Sequence, residues 1–266
     1  MTLLDKSPSP AAVGVADLYA RHPHTAVPAL AVAALTAILL LALTLALAPS
    51  LVLLQRWGAP LWRSAHWWSA PALALTLAAA VLLSGVMLLL VVPLLDALLP
   101  MGLRASGAGH FSAAVIPRYL HNGLLCLARL TVLPFVSRTP LGAWFLRAMG
   151  MQVGRQVCIA TANFSDVRMI ELGDDAAICG SASILAHLGG GDPAIAPVVI
   201  GRRATVGEQA TVMGDVIVGD EAVILAHAVL IPGSRVPPGE RWGGAPARPI
   251  PDIEWAAYQA LVRGPV

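Results

Sequence analysis

The sequence predicts a mixed fold: N-terminal transmembrane helices, then a β-solenoid, then a short C-terminal helix. Two observations predict it. Residues 28–54 and 70–95 are long apolar stretches without a single charged side chain. From residue 151 onward, an aliphatic residue recurs at every sixth position.

Residues 1–27 carry Pro, Ser and the short run His22-Pro23-His24, and read as a loosely structured arm. Two histidines without further ligands nearby do not make a metal site, and no metal is expected anywhere in the chain. Residues 28–99 form the transmembrane region. Each apolar stretch exceeds the ~20 residues that cross ~30 Å of hydrocarbon at ~1.5 Å per residue. Buried core helices seldom stay uncharged for so long, so both are expected to insert into lipid. The composition agrees: 57% hydrophobic against 12% charged residues is too apolar for an ordinary soluble domain. Between the stretches, Trp57, Trp62, Trp67 and Trp68 cluster with Arg56, Arg63 and His66, the chemistry of a headgroup interface. Ala46-Leu47-Ala48 imitates a signal-peptide cleavage site, but the apolar run is too long and starts too far from the terminus. A net charge of +2 without a basic run excludes a nucleic-acid partner. Cys126, Cys158 and Cys179 lack CxxC spacing and read as small hydrophobes in a reducing compartment.

Residues 100–150 are a connector. "YLHNGLLCLARLTVLPFV" (119–136) is apolar but carries His121 and Arg129, and Pro134 limits any helix. It is expected to be an interfacial or re-entrant helix coupling membrane and soluble parts, with a third span left open. "TPLGAWFLRAMG" (139–150) reads as a short amphipathic helix that starts near Thr139-Pro140 and stops at Gly150.

Residues 151–250 change character. Ile200, Val206, Val212, Val218, Ile224, Leu230 and Val236 are spaced six apart without a miss. Two positions before each from Val206 onward stands a small or β-branched residue: Ala204, Ala210, Val216, Ala222, Ala228 and Ser234. Val153 and Ile159 share the step, as do Leu172, Ile178 and Ile184 after a one-residue slip. A period of six fits neither a helix nor an alternating strand. It fits a solenoid coil with three flat sides, one aliphatic residue of each pointing inward and the small residue at the tight corner. "PDIEWAAYQALV" closes the chain as a helix within residues 251–266.

The rhythm fails at one place, "ILAHLGGGDPAIAPVVIG" (184–201). Sixteen residues separate Ile184 from Ile200, not a multiple of six, so backbone must leave the coil directly after His187. The three glycines let that excursion turn sharply.

This hexapeptide signature resembles the left-handed parallel β-helix acyltransferases, and the resemblance alone implies the left-handedness. "TPLGAWFLRAMGMQVGRQVCI", "ELGDDAAICGSASILAH" and "PVVIGRRATVGEQATVMGDVIVGDEA" resemble more closely the membrane-attached C-terminal modules of poly-lysine synthetase-like peptide synthetases. No adenylation or carrier domain accompanies them here, which implies a stand-alone module.

In that family a histidine closes a coil, an extruded loop follows, and the repeat restarts with "P-V-x-I-G". His187, the loop and Pro197-Val198-Val199-Ile200-Gly201 have this order. The resemblance thus implies His187 as the catalytic base in a groove between subunits of a homotrimer. Neutral imidazole, with a pKa of about 6.5, suits that task near pH 7. His227, three residues after Ile224, matches the offset of His187 from Ile184 but has no loop after it, and reads as a coil-surface residue. The resemblance further implies acceptor contacts from Asn163 and Asp166, at the slip in the repeat. Asp166 is open to three roles: holding the acceptor, orienting His187, or capping a turn. "WGGAPARPI" (242–250) resembles the segment that lines the pantetheine and nucleotide channel, which implies cofactor-binding roles for Gly243, Gly244, Ala245 and Arg248, with Gly201 beside them. A tight exit from the solenoid is the bland alternative.

The expected function is a membrane-anchored transfer of an acyl, most simply acetyl, group from acyl-CoA as co-substrate, with no permanently bound cofactor. The acceptor would be the hydroxyl or amine of an amphiphile, a lipid-linked molecule or a saccharide. Transfer from carrier-protein thioesters, or a non-catalytic scaffold, are the alternatives. Two spans return the chain to its starting side, and Arg104, Arg118, Arg129, Arg138 and Arg147 follow them. This places the β-helix on the cytoplasmic face of a multi-pass protein of the inner membrane.

Overall fold

The computed structural model describes residues 26–64, 66–98, 116–187, 195–251 and 255. The arm and most of the expected C-terminal helix lie outside them. Helix α1 runs Ala26–Leu53 and α2 runs Ser69–Leu98, packed side by side and joined through a π-helical turn, Leu54–Gly58, and a single helical turn, Ala59–Trp62. Abundant Ala and Leu favour helix in both, and Pro49 and Pro93 sit within them. Residues Ala29–Trp62 and Ser69–Leu98 are long and apolar enough to cross a membrane by length and composition. Much of their surface is apolar and bare, including Leu40, Leu45, Leu75, Val81 and Leu82. Their contact is polar at one level: Ser50 Oγ donates to the Ala80 carbonyl at 2.8 Å and lies 2.8 Å from Ser84 Oγ. Trp57, Trp62, Trp67 and Trp68 are exposed at the loop end, His66 stacking on Trp68.

The connector holds helix α3, Ile116–Thr131. Its sixteen described residues span ~24 Å, less than the ~30 Å of a bilayer core. It lies against both α1 and α2. At Gly123 the approach is so close that a Cβ there would meet Leu35 Cδ1 of α1 at 2.2 Å. Helix α4, Pro140–Ala148, follows where expected, with Pro in its first turn. Arg147 near its end donates to the carbonyls of Val153 and Gly154, tying it to the first coil.

Residues 152–249 form a parallel β-solenoid of four coils and the start of a fifth, its strands falling into three sheets. Val153, Leu172, Ile200, Val218 and Val236 stack in register on the first sheet. Ile159, Ile178, Val206 and Ile224 stack on the second, and Phe164, Ile184, Val212 and Leu230 on the third. From Ile200 each coil takes eighteen residues, three sides of six, as the period predicts. Ala176, Ala182, Ala204, Ala210, Ala222 and Ala228 are buried beside the corners. Three residues before the inward aliphatic, the corner backbone enters the left-handed region at Gln156, Asp175, Ser181, Arg203, Gln209, Asp215, Glu221 and His227. The polar side chains at these corners point away from an otherwise aliphatic interior.

Two coils depart from this regularity. In the first, Phe164 rather than Ser165 pairs with Ile184, and a short 3-10 turn, Val167–Met169, takes up the slip. In the second, Leu172 and Ile200 are stacked neighbours although twenty-eight residues separate them, ten more than in a regular coil.

Candidate functional site

Both departures meet at one point. The excursion after His187 is clamped at its base, where His187 and Ile195 form an antiparallel bridge and Ala196 N–H donates to the Ala186 carbonyl at 3.0 Å. Residues 188–194, the loop itself, lie outside the described residues. His187 therefore occupies the last position of the coil before the chain leaves, its side chain 34% exposed. Its backbone is fixed from the next coil, since Gly214 N–H donates to the His187 carbonyl.

His187 Nδ1 lies 3.5 Å from Asp166 Oδ2, close but without hydrogen-bond geometry, and among the described residues it has no hydrogen-bond partner. Asp166 reaches this place because of the slip. Its backbone is left-handed (φ 56°), a conformation Asp tolerates, and its carbonyl rather than its side chain closes the following 3-10 turn. The carboxylate instead points into a fully buried position, 0% exposed. Arg118 Nε and Nη2 donate to Oδ1 and Oδ2 at 2.6 and 3.0 Å, and Asn122 Nδ2 donates to Oδ1 at 2.8 Å. Ser165 Oγ adds a bond to Oδ2 at 3.2 Å. Burial by itself would raise this carboxyl, but the nearby His187 ring, hydrogen bonds from Arg118 and Asn122 and the Arg118 charge outweigh it and hold Asp166 well below the usual carboxylate range.

A second polar cluster adjoins the first. Asp96, the first charge after the apolar run of α2, is buried and accepts from Arg168 Nη2 at 2.7 Å. His121 Nδ1 of α3 lies 2.8 Å from Asp96 Oδ1, also fully buried. The solenoid turn holding Asp166 and Arg168 is thus bound to α3 and to the end of α2.

The remaining predicted residues fall elsewhere. Asn163 serves the coil through its backbone: its carbonyl accepts from Ile184 N–H and its N–H donates to Thr161 Oγ1. Gly201 lies between coils, where a Cβ would meet Asp220 N at 2.6 Å. Gly243 and Arg248 face each other in an antiparallel hairpin that leaves the solenoid, with Gly244 (φ 86°) and Ala245 in its tip. Arg248 is exposed and its charge is available at the surface. His227 shares the offset of His187 but lies on a different corner, between the second and third sheets. There its left-handed backbone (φ 60°) donates to the Glu208 carbonyl in the ordinary corner ladder. Among the described residues no cluster of His, Cys, Asp and Glu could hold a metal ion. Asn122, Arg168 and Asp96 are not singled out from the sequence, where Arg118 serves only for topology; the signal of Asn122, Arg118 and Asp96 is polarity inside apolar helices, and that of Arg168 is its place at the slip in the repeat.

Residues 197–232 match the family described as bacterial transferase hexapeptide (six repeats). No curated protein matches the chain. Solved structures with a similar fold include serine acetyltransferase from Neisseria gonorrhoeae, 16% identical over 64% of this chain and 54% of that one, with a TM-score of 0.39. A hexapeptide-repeat acetyltransferase from Vibrio cholerae is 17% identical over 54% of this chain and 94% of its own (TM-score 0.41). A maltose O-acetyltransferase from Clostridium difficile is 22% identical over 50% and 84% (TM-score 0.37). This chain spans about half the length of the serine acetyltransferase.

Proposed function

We propose that the protein is a membrane-anchored acyltransferase in which His187 takes a proton from the acceptor as it attacks an acyl-CoA thioester. The observation that carries this is the pairing of His187 Nδ1 with a buried, ionised Asp166 at the one break in the repeat. A carboxylate beside Nδ1 keeps the proton on that nitrogen and leaves Nε2 as the base. The acceptor hydroxyl or amine gives its proton to Nε2 while its oxygen or nitrogen bonds the thioester carbonyl carbon. The tetrahedral intermediate then expels the thiolate of CoA, which takes the proton back from the imidazolium. Asp166 stabilises that transient cation. No enzyme nucleophile is required.

Asp166 supports His187 rather than the acceptor in this reading, because its carboxylate is covered by Arg118, Asn122 and Ser165. The exit hairpin with Gly243, Gly244, Ala245 and Arg248, together with Gly201, is assigned to acyl-CoA, Arg248 meeting phosphate. The groove is completed by a neighbouring copy in a homotrimer; a fully active monomer extracted from the membrane would refute this part. Helices α1 and α2 cross the inner membrane, and the solenoid faces the cytoplasm, where acyl-CoA is found. An amphiphilic or lipid-linked acceptor suits a site tied to the end of α2.

The test is transfer of radiolabelled acetyl groups from acetyl-CoA into a membrane lipid and glycan extract by the detergent-solubilised full chain. Label should enter one component with the wild type and none with His187→Asn. Equal labelling by the two proteins would sink the reading.

A further inference from the structure

The residues that hold Asp166 do not come from the solenoid. Arg118 and Asn122 stand four apart on α3, one face of a helix, with His121 between them on the same side. Arg118 grips both carboxylate oxygens, and Asn122 is doubly engaged. Its Nδ2 donates to Oδ1 at 2.8 Å, and its Oδ1 accepts the Asp166 backbone N–H at 2.9 Å. The only other groups facing the carboxylate among the described residues are Ser165, from its own strand, and His187, from the coil above. With Arg118 and Asn122 on Oδ1, and Arg118 and Ser165 on Oδ2, little freedom remains in the side chain. Oδ2 is left aimed at His187.

Helix α3 is itself fixed by both apolar helices. Gly123 lets it press against Leu35 of α1 and His121 meets Asp96 of α2, while Arg168 on the Asp166 turn closes on the same Asp96. A buried ion pair of this kind roughly breaks even in stability against apolar packing; its dependable product is a fixed geometry.

We propose that Arg118 and Asn122 are positioning residues for acyl transfer. Helix α3, seated on the apolar helix pair, sets the Asp166–His187 geometry, so the base is competent only while the helical and solenoid parts are docked. This rests on the reading of His187 as the base. It also assigns the connector a task beyond tethering: detaching the solenoid from the helices would disable the site without touching the solenoid's own residues.

The test uses the full chain in detergent, with Arg118→Gln, Arg118→Lys, Asn122→Ala and His187→Asn, and follows both turnover and the nitrogen NMR shifts of the His187 imidazole, which report the nitrogen that carries the proton. Arg118→Gln should lower kcat roughly 10–100-fold, the range seen when a partner that orients a reacting ligand is lost. KM for acetyl-CoA should stay within about twofold, since Arg118 touches no substrate. Arg118→Gln releases the Asp166 carboxylate, so the share of His187 that carries its proton on Nδ1 should fall. Arg118→Lys keeps the charge but not the fork, and kcat should fall less than in Arg118→Gln.

Wild-type kcat and wild-type nitrogen shifts in Arg118→Gln, beside an inactive His187→Asn, would overturn the proposal. A fully active His187→Asn would overturn the acyl-transfer reading instead. The shifts need no turnover and then still decide whether Arg118 acts on His187. If Arg118→Gln does not fold, Arg118→Lys and Asn122→Ala carry the same readouts. Wild-type kcat in both of those folded variants would equally overturn it.

Discussion

Asp166→Asn separates the two roles open to this residue, holding the acceptor or orienting His187. The amide is nearly isosteric, but one carboxylate oxygen becomes an NH2 that donates. If that NH2 takes the place of Oδ1, it faces Arg118 Nε at 2.6 Å and Asn122 Nδ2 at 2.8 Å, donor against donor. If it takes the place of Oδ2, it faces Arg118 Nη2 at 3.0 Å and His187 Nδ1 at 3.5 Å. The second arrangement breaks fewer short bonds and is favoured. It then asks His187 Nδ1 to accept, which moves the imidazole proton to Nε2 and removes the base from the side that faces the acceptor.

The magnitude follows from these contacts. The same exchange in a serine protease triad costs about 10⁴-fold in kcat through the wrong tautomer. The 3.5 Å separation here is longer than a strong charged hydrogen bond, so the coupling is weaker. A loss of about 10²–10³-fold is expected, or about 2.7–4 kcal/mol of barrier. Stability falls as well, because Arg118, 19% exposed, loses its charge partner; about 3 kcal/mol is expected, the low end for breaking a buried pair. Thiol release from acetyl-CoA, measured with acceptor varied and with acetyl-CoA varied, gives kcat and both KM values. A thermal melt of the same sample reports the fold. The expected pattern is a fallen kcat with both KM values near wild type. A kcat within about threefold of wild type, together with a raised acceptor KM, would show that Asp166 holds the acceptor and that its orientation of His187 is wrong.

Three further outcomes can be checked on the same preparation. His187→Asn should lose about 10²–10⁴-fold in turnover, the share of a general base, while His227→Asn should lose less than about tenfold. The corner backbone at His227 is left-handed, which Asn adopts readily, so that variant should also melt at or slightly above the wild-type temperature. Gly201→Val should weaken the solenoid by at least about 1–3 kcal/mol in denaturant, because its Cβ would meet the backbone of Asp220 in the next coil at 2.6 Å; unchanged stability with lost acetyl-CoA binding would instead favour a direct ligand role. The depressed Asp166 carboxyl contributes stability that is fully present above its unfolded value of about 3.9 and is lost as the pH falls through the lower folded value. The wild type should therefore lose melting temperature below about pH 4 more steeply than Asp166→Asn, and parallel curves would contradict this.

How far the sequence discloses the fold depends on which interactions are local. A six-residue period states its own geometry, because every inward aliphatic from Ile200 to Val236 answers to the same corner and the same flat side. The two defects were legible for the same reason: a slip near Asn163 and Asp166, and sixteen residues where a multiple of six belonged. That those defects converge was not legible. It requires knowing that Asp166 and His187 lie on adjacent coils and that a left-handed backbone turns the Asp166 carboxylate inward.

The contribution of α3 is further out of reach, since Arg118 and Asn122 are 48 and 44 residues from Asp166 and no repeat connects them. Yet their trace is present in "RYLHNGLL" and in the Asp96 that ends an uncharged run of twenty-six residues. Polar side chains at helical spacing on an apolar helix read first as a weak membrane span. Where such side chains are buried they must be paired, and each unexplained polar residue in one segment implies a complementary one elsewhere. Arg118 and Asn122 require an acceptor, and Asp96 requires a cation. The turn holding Asp166 and Arg168, two residues apart at the one slip in the early repeat, supplies both. Matching unsatisfied polar groups across segments would have proposed that contact from sequence, with the catalytic geometry as its consequence.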